Sequence, residues 1–249
     1  MKTIENVFYS KEEDKNRVLN IYLPDIENFP VFVYFHGGGL QSGTHEYEIL
    51  GKYLTARGMA LVSVQYRMYP EAKYPDFIED AAEAVSWTLN NINQYGRCEK
   101  IYVGGSSAGG YISMMLCFDE KWLLNAGVSP DSVSGYVHDA GQPTVHFNVL
   151  KEDGVDFRTV VVDERAPLYH IGKAESYPPM LFIVSDDDIP SRYEQTMLVL
   201  STLKHFEYDT GKVKLKEMQG KHHHYYQMVD ENGESVFGKI AYEFFSDLR

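Results

Sequence analysis

Short apolar runs alternate along the chain with stretches of helical periodicity. "VFVYF" (31–35), "MALVSV" (59–64), "KIYVGG" (100–105), "SGYVHDA" (134–140) and "PPMLFIVS" (178–185) are rich in Val, Ile, Tyr and Phe and bounded by turn residues. That is the signature of buried strands. "KVKLKEM" (212–218) alternates polar with apolar and predicts an edge strand, and "TIENVFYS" with "RVLNIYL" predicts an opening antiparallel pair. Between the runs, Ile78, Ala81, Ala82, Val85, Leu89 and Ile92 recur at helical spacing, with Pro75 and Asp76 at the start and Gly96 at the end. Tyr47, Leu50 and Leu54 mark a second helix that stops at Gly58. Ser191 with Glu194 three residues later has the form of a capping box opening a third, and a last helix falls at about 236–247.

Strands alternating with helices predict an α/β architecture: a mostly parallel sheet of about eight strands with helices on both faces. The less regular segment at about 141–175 is too long for a simple strand-to-helix connection and is expected to be a small insertion over the sheet. The 249 residues suit one domain, 1–249, carrying that insertion. A net charge of −13 gives no basic face for a nucleic acid or an anionic membrane surface. The charged start of the chain has no apolar signal core, and no apolar run is long enough to span a bilayer. Cys98 and Cys117 are too few for a disulfide framework and read as free thiols, with cytoplasm the default location.

Candidate chemistry begins at "GGSSAGG" (104–110), which follows a strand. A parallel sheet binds its ligands beyond the carboxyl ends of its strands. The sharp strand-to-helix turn that exposes a nucleophilic serine needs small residues two before and two after it. Gly105-x-Ser107-x-Gly109 meets that requirement better than Gly104-x-Ser106-x-Ala108, so the turn favours Ser107 over Ser106. Neither a phosphate loop nor a dinucleotide fingerprint fits, because both the Gly-Lys-Ser/Thr step and the G-x-G-x-x-G spacing are missing. Upstream, "HGGG" (36–39) ends another strand. Attack on a carbonyl creates an oxyanion that needs preorganised N–H donors. Consecutive glycines can aim amides at one point, so Gly38 and Gly39 are candidate donors together with Ala108, the residue after the nucleophile. His36 stands on a strand end before the nucleophile and reads as a hydrogen-bonded residue shaping the loop.

With "HGGG", "YRMYPEAKYPDFIEDAAEAVSW" and "GGSSAGG" in this order, nearly the whole chain resembles the α/β-hydrolase family, in its hormone-sensitive-lipase-like and small carboxylesterase branch. Tyr66, Arg67, Pro70, Glu71, Pro75 and Asp80 match the family's middle segment. Ser106 departs from it, standing where lipase-like members often carry Asp, which brings the chain nearer to short bacterial esterases and sugar-ester deacetylases. The resemblance implies a Ser–Asp–His triad in that order, with no metal or organic cofactor. "SDDDIPS" offers three carboxylates after a strand, and the family's spacing selects Asp188, with Asp186 the alternative. "GKHHHYY" offers three histidines, and the spacing from Gly220 selects His223 over His222 and His224. Adjacent side chains on an extended loop diverge, which disfavours a metal held by all three histidines. His138 and Asp139 are candidates for a pocket wall, though loop polarity explains them equally well.

The implied activity is hydrolysis of short-chain carboxylic esters, with acetyl or aryl esters of sugars as candidates, acting on a small molecule in an unspecified oligomeric state. An arylformamidase-like amidase or a peptidase would use the same triad. A catalytically inactive hydrolase fold used for binding is the reading from another class.

Overall fold

The computed structural model describes residues 1–248. β1 (Lys2–Phe8) and β2 (Val18–Leu23) form the antiparallel opening pair. β3 (Asn28–Phe35), β4 (Ala60–Val64), β5 (Arg97–Ser106), β6 (Gly135–Asp139), β7 (Met180–Asp187) and β8 (Val213–His222) run parallel. The eight strands form one sheet in the order β1-β2-β4-β3-β5-β6-β7-β8. The α/β expectation, the opening pair and the edge position of the 212–218 run all match this sheet. Charged side chains along β1 and β8 blunt the two edges.

The central strands are nearly continuous apolar runs because both of their faces are covered. Val31, Val33 and Phe35 of β3 point to one core, and Phe32 and Tyr34 to the other. α2 (Asp76–Asn91), α3 (Ala108–Phe118) and α7 (Arg192–His205) cover the first face, joined by the short α4 (Lys121–Asn125). α1 (Glu48–Thr55) and α8 (Val236–Ser246) cover the second. There Phe245 stacks on Tyr102 with ring centroids 4.3 Å apart and tilts against Phe32 at 4.9 Å. Residues 141–175 hold α5 (Phe147–Glu152) and α6 (Pro167–His170). The expected capping box is not formed. Ser191 sits in the left-handed region at φ 68°, and its side chain makes no capping bond. The chain turns there from the β7 loop into α7, a tertiary demand that overrides the local capping preference.

Sheet order places the site. β3 is followed by β4 on one side, and β5 lies on the other, so winding reverses between β3 and β5. Such a reversal leaves a crevice at the carboxyl ends of the two strands. Phe35 is in register with Gly105, so the 36–39 glycine loop and the 104–110 turn emerge side by side.

The segment after β4 holds the glycine loop from behind. Tyr66 donates its hydroxyl to the His36 carbonyl at 2.8 Å, and the Tyr69 amide donates to Leu40 at 2.9 Å. Arg67 is fixed in turn on Asp80 of α2, with Nη2 at 2.7 Å, Nε at 2.9 Å and its own amide at 2.9 Å. Arg17 approaches the same carboxylate at 3.0 Å. Asp80 is fully buried, so these cations are what make its charge tolerable. Removing the carboxylate leaves two arginines facing a sealed hole. Asp80→Ala is therefore expected to cost about 3 kcal/mol of stability in urea unfolding. A loss below about 0.5 kcal/mol, the level of an ordinary surface change, would contradict this role.

Candidate active site

Steric limits build the turn around Ser107. The residue lies at φ 56° and ψ −113°, a region a non-glycine residue occupies only under constraint. A Cβ on Gly105 would fall 2.5 Å from the Phe35 carbonyl oxygen, and one on Gly109 only 1.9 Å from the same atom. Both glycines flanking the serine are thus pressed on the end of β3, which accounts for the frame centred on Ser107. Ser106 points the other way. It is fully buried and accepts a hydrogen bond from the Tyr34 hydroxyl at 3.1 Å.

The loops after β7 and β8 bring Asp188 and His223 to this turn. Ser107 Oγ lies 2.7 Å from His223 Nε2, and His223 Nδ1 lies 2.6 Å from Asp188 Oδ1. A carboxylate can only accept, so Nδ1 carries the ring proton and Nε2 is left to accept from the serine hydroxyl. The Asp188 carboxylate is shielded from solvent and also accepts its neighbour Ile189's amide at 2.7 Å. Asp186 goes elsewhere, accepting the Gly220 amide at 2.7 Å in the turn before the histidines. The three histidines diverge: His222 pairs with Asp187 at the surface at 2.7 Å, and His224 is exposed. Among the described residues no cluster of His, Cys, Asp and Glu has the arrangement of a metal site.

The glycine loop lies against the same turn, since a Cβ on Gly37 would fall 3.2 Å from Ser107 Cβ. Gly38 and Gly39 have φ of 119° and 66°. The Gly38 carbonyl accepts the Gln41 and Ser42 amides, both at 3.1 Å, which turns the loop back on itself. The amides of Gly38, Gly39 and Ala108 donate to no acceptor among the described residues. His36 shapes this loop, stacking on Tyr66 at 4.5 Å with Nδ1 2.7 Å from the Gly37 carbonyl. Burial pulls its pKa down to about 4, so it stays neutral at ordinary pH.

Asn148 and Arg192 escaped the sequence reading, whereas Tyr226, beside the three histidines, reads from sequence as packing or pocket wall. Asn148 of α5 donates its side-chain amide to the Gly39 carbonyl, so the 141–175 segment touches the glycine loop. Tyr226 leaves room for no side chain on Gly37, since a Cβ there would lie 2.6 Å from its phenol oxygen. Tyr226 also borders a cavity of about 440 Å³ with Tyr47, Leu50, Met228 and Phe237. Arg192 is a buried cation near Asp188; its guanidinium donates to the Ala140 carbonyl and to Gln142, and burial lowers its pKa to about 10. The glycine loop, "HHHYY" and the run of aspartates are sequence signals next to these contacts, but none of them points to Asn148 or Arg192. His138 and Asp139 do not form a pocket wall: both are fully enclosed, and His138 is held by the Ser113 hydroxyl at 2.9 Å.

Comparison with known proteins bears on this geometry. A family model described as BD-FAE matches residues 19–133. The chain is 38% identical over 104 residues to Carboxylesterase NlhH of Mycobacterium tuberculosis, covering 39% of this chain and 32% of that protein. It is 32% identical over 133 residues to Probable carboxylesterase 7 of Arabidopsis thaliana, covering 47% and 42%. The chain therefore spans less than half the length of these curated relatives. A truncated form of a carbohydrate esterase from gut microbiota superposes with a TM-score of 0.79 at 18% identity, over 100% of this chain and 96% of that one. A hyperthermophilic esterase from the archaeon Pyrobaculum calidifontis gives 0.75 at 22% identity, over 99% and 86%. At these identities the solved structures speak for the α/β-hydrolase fold.

The turn geometry makes a specific demand. Gly109→Ala must displace the end of β3 or the start of α3, and is expected to cost about 2 kcal/mol in stability. Urea titration checks this, and a variant as stable as the parent would mean that the turn is not pressed on Phe35.

Proposed function

We propose that this chain, an α/β-hydrolase by fold and sequence, is a serine hydrolase that cleaves short-chain carboxylic esters through an acyl-enzyme. The observation that carries the reading is the continuous Ser107–His223–Asp188 hydrogen-bond relay, 2.7 and 2.6 Å long. In this reading Ser107 Oγ attacks the ester carbonyl while His223 Nε2 takes its proton. Asp188 holds the imidazole in the required tautomer and offsets the charge that develops on it. The amides of Gly38, Gly39 and Ala108 hold the oxyanion, each contributing on the order of 3 kcal/mol to the transition state. Collapse expels the alcohol, which receives its proton from His223. Water then attacks the acyl-serine by the same route in reverse, and the acid and Ser107 are released.

For the substrate we propose a short acyl group on a sugar or aryl alcohol. Two features support this. The cavity of about 440 Å³ bordered by Tyr226 combines apolar walls (Tyr47, Leu50, Phe237) with polar ones (Glu46, Glu48, Gln227), a mixture suited to a small acyl or aryl group carried on a hydroxyl-rich alcohol. The superposing carbohydrate esterase is named for a sugar-ester class.

A panel of p-nitrophenyl esters tests the reaction class. kcat/KM is expected to be highest for the shortest acyl chains and to fall as the chain lengthens. His223→Ala is expected to lose about 10⁴-fold or more in kcat, with His222→Ala and His224→Ala within about tenfold of the parent. Equal losses in all three would reject the assignment of the base. Because the base must be neutral, activity is expected to fall on the acid side. A rate unchanged from about pH 8 down to about pH 4 would contradict a histidine base.

A further inference from the structure

Behind the nucleophile lies a polar network that the reaction as described does not use. Asp139 ends β6 in register with Ser106, and its main-chain carbonyl accepts the Ser107 amide at 2.7 Å. Its carboxyl is completely enclosed. The Tyr225 hydroxyl donates to Oδ1, and Tyr225 follows His223 by two residues. The Ser106 hydroxyl, which already accepts from Tyr34, lies beside the same carboxyl. Oδ2 has no partner among the described residues.

The charged and titratable groups around it are unequal. From the loop after β7 comes Asp188, a second carboxylate. From α7 comes Arg192, but its guanidinium is engaged by Ala140 and Gln142. His223, after β8, is held between Asp188 and Ser107. His138, on β6 itself, is kept neutral by burial. The remainder are the phenols Tyr34 of β3, Tyr47 before α1, and Tyr225 and Tyr226. Among the described residues no cation pairs with Asp139. Its fully enclosed carboxyl is met by hydroxyls and faces a second carboxylate, and a group so placed takes up a proton in preference to a charge.

We propose that Asp139 is a positioning residue: a neutral carboxylic acid that ties the Ser106–Ser107 turn to the Tyr225 turn carrying His223. Burial pushes the Asp139 pKa up to about 7, with Asp188 adding to the shift. The folded protein thus keeps a proton that the unfolded chain gives up near the ordinary carboxylate range. Stability from this site is complete at low pH and declines as pH rises through about 7.

Thermal unfolding of the parent and Asp139→Asn tests the neutral acid without any substrate. The Tm of Asp139→Asn relative to the parent is expected to rise by about 5 °C or more between about pH 4.5 and pH 8. A difference that stays flat across that range overturns the proposal. So does an Asp139→Asn protein that fails to fold, since a site built for a neutral acid should accept its neutral isostere. The positioning role rests on the esterase reading and is tested by Tyr225→Phe, which removes only the hydroxyl. kcat is expected to fall about tenfold with KM within about twofold, the pattern of a lost transition-state alignment. An unchanged kcat overturns it. A parent inactive on every ester would count against the esterase reading alone, because the Tm comparison is read separately.

Discussion

The carbonyl of Phe35 ends β3, and two glycines from a distant part of the chain are pressed against it. Gly105 and Gly109 would each place a Cβ inside its contact distance. That contact bends β5 into α3 within a few residues and drives Ser107 to positive φ. It also sets the height of the turn relative to the loop that leaves β3, so that a Cβ on Gly37 would fall 3.2 Å from Ser107 Cβ. The reversal of winding between β3 and β5 provides the crevice, and the close approach fills it with chemistry. Strain at one serine is sustained because the sheet on either side is fully packed.

Electrostatics divides the buried groups into two kinds. Asp80 is enclosed with two arginines and serves the scaffold, fixing the segment that supports the glycine loop. The carboxyls of Asp188 and Asp139 are enclosed close to His223 and the Ser107 turn, with no bidentate cation among the described residues. Asp188 is matched by the imidazole it orients. Asp139 is matched only by hydroxyls. The histidines follow the same division: His36 and His138 are driven neutral by burial and act as shape and packing, while His223 joins the Ser107 hydroxyl to the Asp188 carboxylate.

Much of this was legible because sterics and chain order restrict the residue types. A tight strand-to-helix turn tolerates only small residues at fixed offsets, so Gly105 and Gly109 announce Ser107. The glycine loop after "VFVYF" is equally explicit, because its positive φ values admit little else. The two-sided burial of β3 was visible as an unbroken apolar run. Asp188 was harder, since three aspartates in a row carry no local sign of which one faces inward; only the family's spacing separated them. Contacts made across the fold left no trace. Asn148 reaching Gly39, Arg192 under the β6 turn and Tyr225 on Asp139 each join segments tens of residues apart. Ser191 was misread for the same reason. Its motif had the form of a capping box, but the turn leaving β7 fixed its backbone first.

The central claim is that the packed turn makes one serine, Ser107, chemically different from its neighbour Ser106. Labelling with a fluorophosphonate followed by peptide mass mapping tests it most directly, because the reagent reacts with an activated serine and passes over an ordinary one. The account predicts a single adduct on Ser107, abolished by His223→Ala. An adduct on Ser106, or none on either serine, would contradict it.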